Sequence, residues 1–374
     1  MSVLFLYLRA FSSTGGIEKF NRSFLKALHE LSVDGIIDAD AISAYDNTTD
    51  EMYFPQLRFY GFGGGVARLF FVVTALFKSR AYKTIVLGHV NLAIVGNMLK
   101  WINPSVRMIL IVHGIEVWME HSGAKKKLLE QVDVILSVSN FTKEKIVEHN
   151  PTVSKKKIKI FPNTIDPYFE LPTSFEKPTY LLERYKLAPD TPILMTLTRL
   201  AFSEKYKGYD RIIESMSDLL QDNSSLQYLL CGKADRNEKA RVEGLIEGTN
   251  TSRAIKLLGF IKDNELNDHY LLADIFVMQS KKEGFGIVFI EALACGRKVI
   301  AGSKDGSVEA LLNGELGTLI DPDNRSELIY TIDKVLHNEE HNPMHVQAEV
   351  TKVFGFHQFK NRLRSILSNQ TSDK

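Results

Sequence analysis

Two carboxylates spaced eight residues apart are the strongest candidates for chemistry in this chain. Glu283 precedes a Gly-Phe-Gly turn, and Glu291 falls in the second turn of an apolar helix predicted to begin near Gly286. Because a helix N-terminus leaves backbone N–H groups unpaired and favours anions, those of Phe285, Gly286 and Ile287 are predicted to bind phosphate or sugar oxygens. Glu283 would then face a sugar, and Glu291 would accept ribose hydroxyls. Charge complementing the helix dipole explains Glu283 but not a carboxylate on an otherwise apolar helix.

Two cations follow another apolar run, ILMTLT. Arg199 comes directly after that run, and Lys207 precedes Gly208 at the predicted start of the next helix. A guanidinium and an ammonium from one loop can clamp a diphosphate and neutralise the charge that grows on it as a leaving group. Lys205 is the alternative to Lys207. A solvated basic loop is the alternative to the clamp, and the break in the apolar pattern at Gly208 favours the clamp.

Glycines and a histidine follow two strands predicted in the first half. Gly15 and Gly16 stand between a strand and a helix, where glycine either lets backbone N–H groups approach a phosphate or only makes a tight turn. His113 follows the apolar run MILIV. A histidine at the carboxyl end of a parallel strand can bind a sugar hydroxyl or share a proton, and a structural role is its alternative.

Short apolar runs alternate with helical patterns along the chain, which predicts an α/β fold with parallel sheets. Runs that are apolar throughout indicate strands covered by helices on both faces. The predicted strands are Val3–Leu8, Thr84–Leu87, Met108–Val112, Val134–Val138, Lys157–Phe161, Ile193–Thr198, Leu226–Cys231, Ile255–Leu258, Ile275–Met278, Val299–Ala301 and Thr318–Ile320. The predicted helices are Lys19–Leu31, Thr142–His149, Asp210–Leu220, Asn237–Ile246, Asp263–Leu272, Gly286–Ala294 and Arg325–Leu336.

The length of 374 residues suits two domains. Six of the 11 prolines fall between Pro162 and Pro192, so this stretch is the predicted linker. We expect an N-terminal domain at 1–165 and a C-terminal domain at 190–355, two doubly wound Rossmann-like domains facing across a cleft. Ligands of such sheets bind beyond the carboxyl ends of the strands, which predicts an active site between the domains.

Composition narrows the classes of function. A net charge of +1 is not that of a nucleic-acid-binding protein. Cys231 and Cys295 lie in apolar stretches and are read as buried residues, not as a disulfide or metal ligands. The ten histidines are scattered, so a metal-free site is expected. The N-terminal run reads as a buried strand without a basic leader, and no apolar run approaches bilayer length, so a cytoplasmic protein is expected.

Positive charge is clustered beside apolar residues in the first half. The members of the cluster are Arg68, Lys78, Arg80, Lys83, Lys125, Lys126, Lys127, Lys155, Lys156 and Lys157. Such a surface could rest on anionic lipid headgroups at the inner face of the plasma membrane. Solvated helix faces and loop ends are the alternative.

Nine segments, in order, resemble the retaining glycosyltransferases of family 4, which have the GT-B fold. They are GGIEKF, HGIEVW, VSNFTKEKI, IFPNTIDPYF, TRLAFSEKYKGYDRII, LLCGKAD, LLGFIKDNEL, EGFGIVFIEALACGRKVIAG and GELGTLIDP. The resemblance implies these contacts: Gly16 with the donor phosphate, His113 with the transferred sugar, Arg199 and a lysine with the diphosphate, Glu283 with the sugar, Glu291 with the ribose, and Phe260 and Ile261 with the base. It also implies a C-terminal helix, within about 356–374, that crosses back towards the N-terminal domain.

The same resemblance implies the reaction. A nucleotide diphosphate sugar, of the GDP-mannose or UDP-hexose type, would give its hexosyl group to a saccharide acceptor without a metal cofactor. The basic and apolar surface suggests a lipid-linked acceptor in cell-surface polysaccharide assembly. Many relatives have a shorter loop between the arginine and the lysine-glycine pair, so the lysine assignment is the point in doubt. A nucleotide-sugar epimerase of the same fold and a non-catalytic sugar-nucleotide binding module are the alternative functions.

Overall fold

The chain forms two compact units, each built on its own parallel sheet. The computed structural model describes residues 1–65, 67–338 and 340–368. The first unit runs from Met1 to Pro167 and takes up the chain again from Phe354, and the second unit is Tyr168–Val353. The alternation of parallel strands and helices predicted from the sequence is confirmed. Residues 369–374, the end of the predicted C-terminal helix segment, lie outside the described residues.

The first unit has a seven-stranded parallel sheet in the order β3-β2-β1-β4-β5-β6-β7. Its strands are β1 (Ser2–Tyr7), β2 (Asp38–Ser43), β3 (Phe59–Gly61), β4 (Thr84–Leu87), β5 (Arg107–Val112), β6 (Val134–Ser137) and β7 (Ile158–Ile160). Its helices are α1 (Gly16–Val33), α2 (Ala67–Lys78), α3 (Ala93–Ile102), α4 (Gly123–Gln131), α5 (Asn140–His149) and α14 (Phe356–Ser368). Strands β2 and β3 were not predicted, because the sequence DADAIS has little of the β-branched character that marks a strand.

Both faces of this sheet are covered by helices. One face packs against α2, α3, α4 and α5 through a single apolar core. The returning helix α14 packs against α1. The ring centroid of Phe359 in α14 lies 4.5 Å from that of Phe161 and 5.6 Å from that of Phe20. The guanidinium of Arg107 donates to the last carbonyls of α14, those of Ile366 and Leu367. The C-terminal helix is therefore part of the core of the first unit.

The second unit has a six-stranded parallel sheet in the order β10-β9-β8-β11-β12-β13. Its strands are β8 (Ile193–Leu197), β9 (Gln227–Cys231), β10 (Ile255–Gly259), β11 (Ile275–Met278), β12 (Lys298–Gly302) and β13 (Thr318–Ile320). Its helices are α6 (Thr179–Tyr185), α7 (Tyr209–Asp222), α8 (Arg236–Gly248), α9 (Leu266–Leu272), α10 (Ile287–Ala294), α11 (Ser307–Ala310), α12 (Arg325–Leu336) and α13 (Pro343–Phe354).

Much of the proline-rich stretch belongs to the second unit, which starts at Tyr168 where the sequence suggested a domain from residue 190. Leu181 and Leu182 of α6 are buried, and the ammonium of Lys177 donates to the carboxylate of Asp274 and to the carbonyl of Thr191. Prolines interrupt regular structure without preventing burial, so their density alone does not separate a linker from a packed segment.

None of the described helices is long and apolar enough to cross a membrane. Both cysteines, Cys231 and Cys295, are buried free thiols. Burial raises the pKa of each thiol above its ordinary value.

Each sheet has one position where the chain order reverses. In the first unit it lies between β1 and β4, and in the second between β8 and β11. Open parallel sheets bind ligands outside the carboxyl ends of the strands at such a position, because the connecting loops there diverge to opposite faces. The loops after β1, β4, β8 and β11 are therefore where candidate site residues are expected.

Candidate active site

An ion pair joins the two loops at the reversal point of the second unit. The ammonium of Lys207, after β8, contacts the carboxylate of Glu283, after β11, and the two side chains are only 15% and 12% exposed. The backbones also touch, since Lys281 N–H donates to the carbonyl of Tyr206 at 3.0 Å. Gly208 has φ of 85°, and a Cβ there would lie 2.7 Å from the carbonyl oxygen of Gln279. Glycine is thus required both for the left-handed turn and for the close approach.

The other two cations of the loop have different surroundings. Arg199 is 71% exposed and pairs with the largely buried carboxylate of Glu204. Lys205 is exposed and lies over the ring of Phe202, 4.0 Å from its centroid. Of the two candidate lysines, Lys207 is therefore the one beside Glu283, and its role at a diphosphate stays a prediction.

A buried aspartate that sequence reasoning missed holds the Glu283 loop. Asp305, after β12, accepts from the N–H of Glu283 at 2.7 Å and from the N–H and hydroxyl of Ser307 at 2.9 and 2.5 Å. The N–H of Gly306 donates to the carbonyl of Glu283 at 2.8 Å. Burial, and then the nearby charge of Glu283, raise the pKa of Asp305 to about 6. The sequence SKDGS, directly after an apolar strand, is the pattern from which Asp305 could have been predicted as a site residue.

Helix α10 begins at Ile287 and carries no side-chain cap. Gly286 precedes it with φ of 89°, and a Cβ there would lie 2.4 Å from the ring of Phe289. Phe285 is buried. Since no side chain caps α10, its N-terminus is where the sequence predicts that the N–H groups of Phe285, Gly286 and Ile287 bind phosphate or sugar oxygens. That binding stays a prediction.

Glu291 is fully buried in the middle of α10. Its Oε2 accepts a hydrogen bond of 2.9 Å from the hydroxyl of Tyr270. Burial and the Glu291 carboxylate raise the pKa of Tyr270 well above its ordinary range, so the phenol stays a donor. A ribose could reach Glu291 only after a local opening, and the predicted ribose contact stays a prediction.

The segment predicted to lie against a base follows the edge strand β10. Gly259 has φ of 71°, the side chain of Phe260 is 55% exposed, and Ile261 is buried. The carbonyl of Gly259 accepts from Gly232 N–H at 2.7 Å, which ties this segment to the loop after β9. An exposed aromatic ring at the carboxyl edge of the sheet is suited to stack on a base, while Ile261 packs inward.

In the first unit, α1 starts at Gly16 with Gly15 before it and no side-chain cap. A Cβ on Gly16 would meet no heavy atom within 4 Å, so packing within the described chain does not require glycine there. On Gly15, a Cβ would lie 2.5 Å from the Glu18 carboxylate, the flexible end of a side chain. The free space at Gly16 is what close approach of a phosphate to the helix N-terminus requires.

The loop before α1 is held by Asp46, which sequence reasoning did not single out. This buried carboxylate accepts from the N–H of Ala10 at 2.7 Å, from the N–H of Ser12 at 2.8 Å and from the hydroxyl of Ser43 at 2.9 Å. Asp46 comes three residues after β2. Because β2 was not predicted, nothing in the sequence placed Asp46 at the carboxyl edge of the sheet.

Two histidines lie side by side at the ends of β4 and β5. The rings of His89 and His113 are stacked with centroids 6.1 Å apart. The Nδ1 of His89 accepts from the N–H of Asn91 at 3.0 Å, and the Nε2 of His113 lies 2.9 Å from the carbonyl of Gly88. Since a carbonyl only accepts, His113 carries its hydrogen on Nε2, and so does His89.

The imidazole pair is electrically neutral near pH 7. Burial lowers the pKa of His113 and lowers that of His89 to about 4. Among the described residues, neither Nδ1 of His113 nor Nε2 of His89 forms a hydrogen bond. The pair thus offers one acceptor and one donor to hydroxyl groups. His89 was missed, although it follows the apolar run TIVL just as His113 follows MILIV.

Proposed site residues therefore form two groups at the carboxyl edges of the two sheets. The first unit holds Gly15, Gly16 and His113; the second holds Arg199, Lys207, Phe260, Ile261, Glu283, Phe285, Gly286, Ile287 and Glu291. Within the described residues, no group of three or more His, Cys, Asp or Glu side chains is arranged to hold a metal ion.

Two family models match the chain, one in each unit. The model of glycosyltransferase family 4 matches residues 14–169, and the model of glycosyl transferases group 1 matches residues 182–349. Together they cover most of the sequence. The chain belongs to glycosyltransferase family 4. The family predicted from the nine segments is thereby confirmed.

Curated relatives of this family 4 glycosyltransferase are distant. A glycosyltransferase of Methanocaldococcus jannaschii is 26% identical over 54% of this chain and 50% of its own length. A GDP-mannose-dependent monoacylated α-(1-6)-phosphatidylinositol monomannoside mannosyltransferase of Corynebacterium glutamicum is 27% identical over 60% of each chain. The matched region thus spans about half to three fifths of the length of these relatives.

Solved structures match over nearly the whole length. Alr3699/HepE of Anabaena in complex with UDP superposes with a TM-score of 0.80 at 18% identity, covering 98% of this chain and 100% of that one. Sucrose-phosphate synthase of Thermosynechococcus elongatus gives a TM-score of 0.79 at 19% identity and covers 98% of both chains. At these identities the likeness concerns the fold, and the predicted GT-B fold is confirmed.

Proposed function

We propose that this family 4 glycosyltransferase moves a hexosyl group, with retention of configuration, from a nucleotide diphosphate sugar to a saccharide acceptor. The Lys207–Glu283 pair supports this proposal most directly. A cation and a carboxylate lie together at the reversal point of one parallel sheet, which supports their proposed roles at the phosphates and at the sugar of one donor.

Arg199 and Lys207 are assigned to the diphosphate. Each already has a carboxylate partner, Glu204 and Glu283 respectively. A donor diphosphate would compete for both cations, and it would free Glu283 to accept hydroxyls of the sugar. We keep Gly16 and His113 as contacts of the donor phosphate and the transferred sugar. This assignment requires no metal ion, because the two cations would neutralise the leaving group.

The reaction is written as a displacement on one face of the sugar. The bond between the anomeric carbon and the leaving phosphate oxygen breaks, and an oxocarbenium-like ion pair forms. The acceptor hydroxyl oxygen bonds to the anomeric carbon on the face that the phosphate leaves, and its proton passes to the departing phosphate. The protein contributes position and charge stabilisation and forms no covalent intermediate.

The names of the similar proteins suggest which types of donor to propose. The relative in Corynebacterium glutamicum is by its name GDP-mannose-dependent, and Alr3699/HepE was solved with UDP and with UDP-glucose. We therefore propose a donor of the GDP-mannose or UDP-hexose type. The acceptor is proposed to be a saccharide carried on a lipid, in cell-surface polysaccharide biosynthesis on the cytoplasmic side of the plasma membrane.

Thermal-shift measurements against UDP, GDP, ADP and their common sugar conjugates test this function, since a ligand bound by the native state alone raises its melting temperature. We expect a shift with one base, kept in Lys205→Ala and reduced in Lys207→Ala. No shift with any nucleotide would overturn the donor site. Conversion of the donor sugar without an acceptor would favour an epimerase, and binding without nucleotide release in the presence of acceptors would favour a binding module.

A further inference from the structure

Large apolar side chains are concentrated on the outer side of two neighbouring helices of the first unit. Helix α2 exposes Leu69, Phe70, Val73 and Phe77, and helix α3 exposes Ile94, Met98 and Trp101. Phe77 is 75% exposed and Trp101 is 81% exposed. Single exposed apolar residues are common on protein surfaces, whereas a contiguous set marks an interaction site. We call these seven residues the α2–α3 face.

Helix geometry makes each set a stripe. Leu69, Val73 and Phe77 are four residues apart along α2, as are Ile94 and Met98 along α3, so each set projects from one side of its helix. The opposite sides carry Phe71 and Ala75 of α2, and Val95 and Leu99 of α3, into the same core beneath the sheet. Since α2 and α3 also contact each other, the two stripes lie on adjacent helices of one layer.

Cations outnumber acids on the helices that carry and flank the α2–α3 face. Helices α2, α3 and α4 contain Arg68, Lys78, Lys100, Lys125, Lys126 and Lys127 but only one acid, Glu130. Arg80 and Lys83 follow α2. Lys78 and Lys100 pair with Asp40 and Asp133, whereas Arg68, Arg80, Lys83, Lys126 and Lys127 are exposed. The net charge of the whole chain is +1, so this concentration is local.

We propose that the α2–α3 face docks on an anionic phospholipid bilayer, with its apolar side chains in the interfacial region and the flanking cations at the headgroups. The apolar side chains, Trp101 among them, suit the boundary between headgroups and acyl chains, and the lysines and arginines around them suit the anionic headgroups. A two-fold contact with a second copy would bring the same cations opposite one another. The α2–α3 face contains none of the residues assigned to sugar transfer. The proposal rests on the proposed function only in giving the docking a purpose, which is access to a lipid-linked acceptor.

Co-sedimentation with vesicles tests the docking. We expect the protein to bind vesicles of equal parts phosphatidylcholine and phosphatidylglycerol at low salt, to bind phosphatidylcholine alone weakly, and to detach as salt is raised. Phe77→Ser and Trp101→Ser should each lower the partition coefficient about tenfold. The double variant Arg80→Gln, Lys83→Gln should lower it about fivefold per charge removed. Tyr330→Ser, which removes a 67% exposed aromatic side chain from the second unit, is the matched control and should bind like the wild type.

Tryptophan fluorescence gives a second readout. Insertion should shift the emission of Trp101 to the blue on addition of mixed vesicles, and Trp101→Phe should abolish that shift while it keeps most of the binding. The proposal is overturned if the wild-type protein does not bind mixed vesicles at low salt. It is also overturned if Phe77→Ser and Trp101→Ser bind these vesicles as strongly as the wild type. A wild-type dimer that Phe77→Ser dissociates would assign the face to a second copy and also overturn it. Nucleotide thermal shifts of the same variants, measured without vesicles, report separately on the donor site.

Discussion

The ammonium of Lys207 lies against the carboxylate of Glu283 and joins two loops that are 76 residues apart in the sequence. This contact exists because β8 and β11 are neighbours in the sheet although two other strands separate them along the chain. The two side chains are largely shielded from bulk water, 15% and 12% exposed, and they lie at the reversal point, where open parallel sheets bind their ligands.

Replacement of either partner should damage transfer more than folding. We expect Lys207→Ala and Glu283→Ala each to lower the rate at least about a hundredfold, the scale of losing one charge-stabilising group, with the far-ultraviolet spectrum unchanged. Steady-state kinetics with the donor that the thermal-shift measurements select tests this prediction. Lys205→Ala is the control, and a larger loss in that variant would show that the lysine assignment is wrong. Recovery of activity in the double variant Lys207→Ala, Glu283→Ala would show that the pair is only structural.

Removal of divalent metal ions should leave the activity unchanged. In the proposed assignment, Arg199 and Lys207 supply to the leaving diphosphate the positive charge that a metal ion would otherwise supply. We expect the same initial rate after dialysis against a chelator and after addition of Mg²⁺ or Mn²⁺. A rate that disappears on chelation and returns with one of these ions contradicts this prediction.

Substitution of glycine by alanine should affect nucleotide binding at the start of α1 and stability at the start of α10. Gly16→Ala places a methyl group in open space, so we expect an unchanged melting temperature and a loss of the nucleotide-induced shift. Gly286→Ala forces a side chain into a left-handed conformation and against Phe289, so we expect a loss of stability of about 1 kcal/mol or more. Thermal unfolding with and without nucleotide measures both, and a full nucleotide shift in Gly16→Ala would remove Gly16 from the site.

Asp305 should make the protein less stable as the pH rises. Its pKa is about 6 in the native state and about 3.9 in an unfolded chain. Between these values the unfolded chain has released the proton and the native state has retained it, so the free energy of unfolding falls until about pH 6 and then stays level. In Asp305→Asn this fall should be absent, so the variant should gain stability relative to the wild type from pH 4 to 7. Urea unfolding at several pH values measures the difference, and a difference independent of pH would contradict the prediction.

His89 should stay neutral at a pH well below the ordinary pKa of histidine. The pKa of His89 is lowered to about 4, so an unfolded chain takes up a proton there below about pH 6.5 while the native state does not. The contribution of His89 to stability is therefore complete above that pH and is lost as the pH falls towards 4. Long-range ¹H–¹⁵N spectra should show both His89 and His113 with hydrogen on Nε2. A protonated His89 at pH 5.5 would contradict the assignment.

Local sequence patterns were enough to predict much of the fold and the types of residue in the candidate site. The short, continuously apolar runs that became β1, β5, β8 and β11 indicated buried strands, and the helical patterns between them indicated parallel sheets. Glycines before helix starts, and charged residues after strands, indicated Gly16, Arg199 and Glu283 because ligand sites in such sheets lie where strands end. Strand β2 was not predicted because two aspartates interrupt its apolar pattern.

The order of the strands, and everything that depends on it, was decided only by the tertiary structure. The loop that holds Lys207 meets Glu283 because β8 lies beside β11. Asp46 and Asp305 hold loops that are distant from them in the sequence. His89 joins His113 because β4 lies beside β5. The α2–α3 face exists because two helices pack in one layer. Each of these facts is a long-range contact, and its free energy depends on which surfaces meet, a quantity that no local periodicity contains.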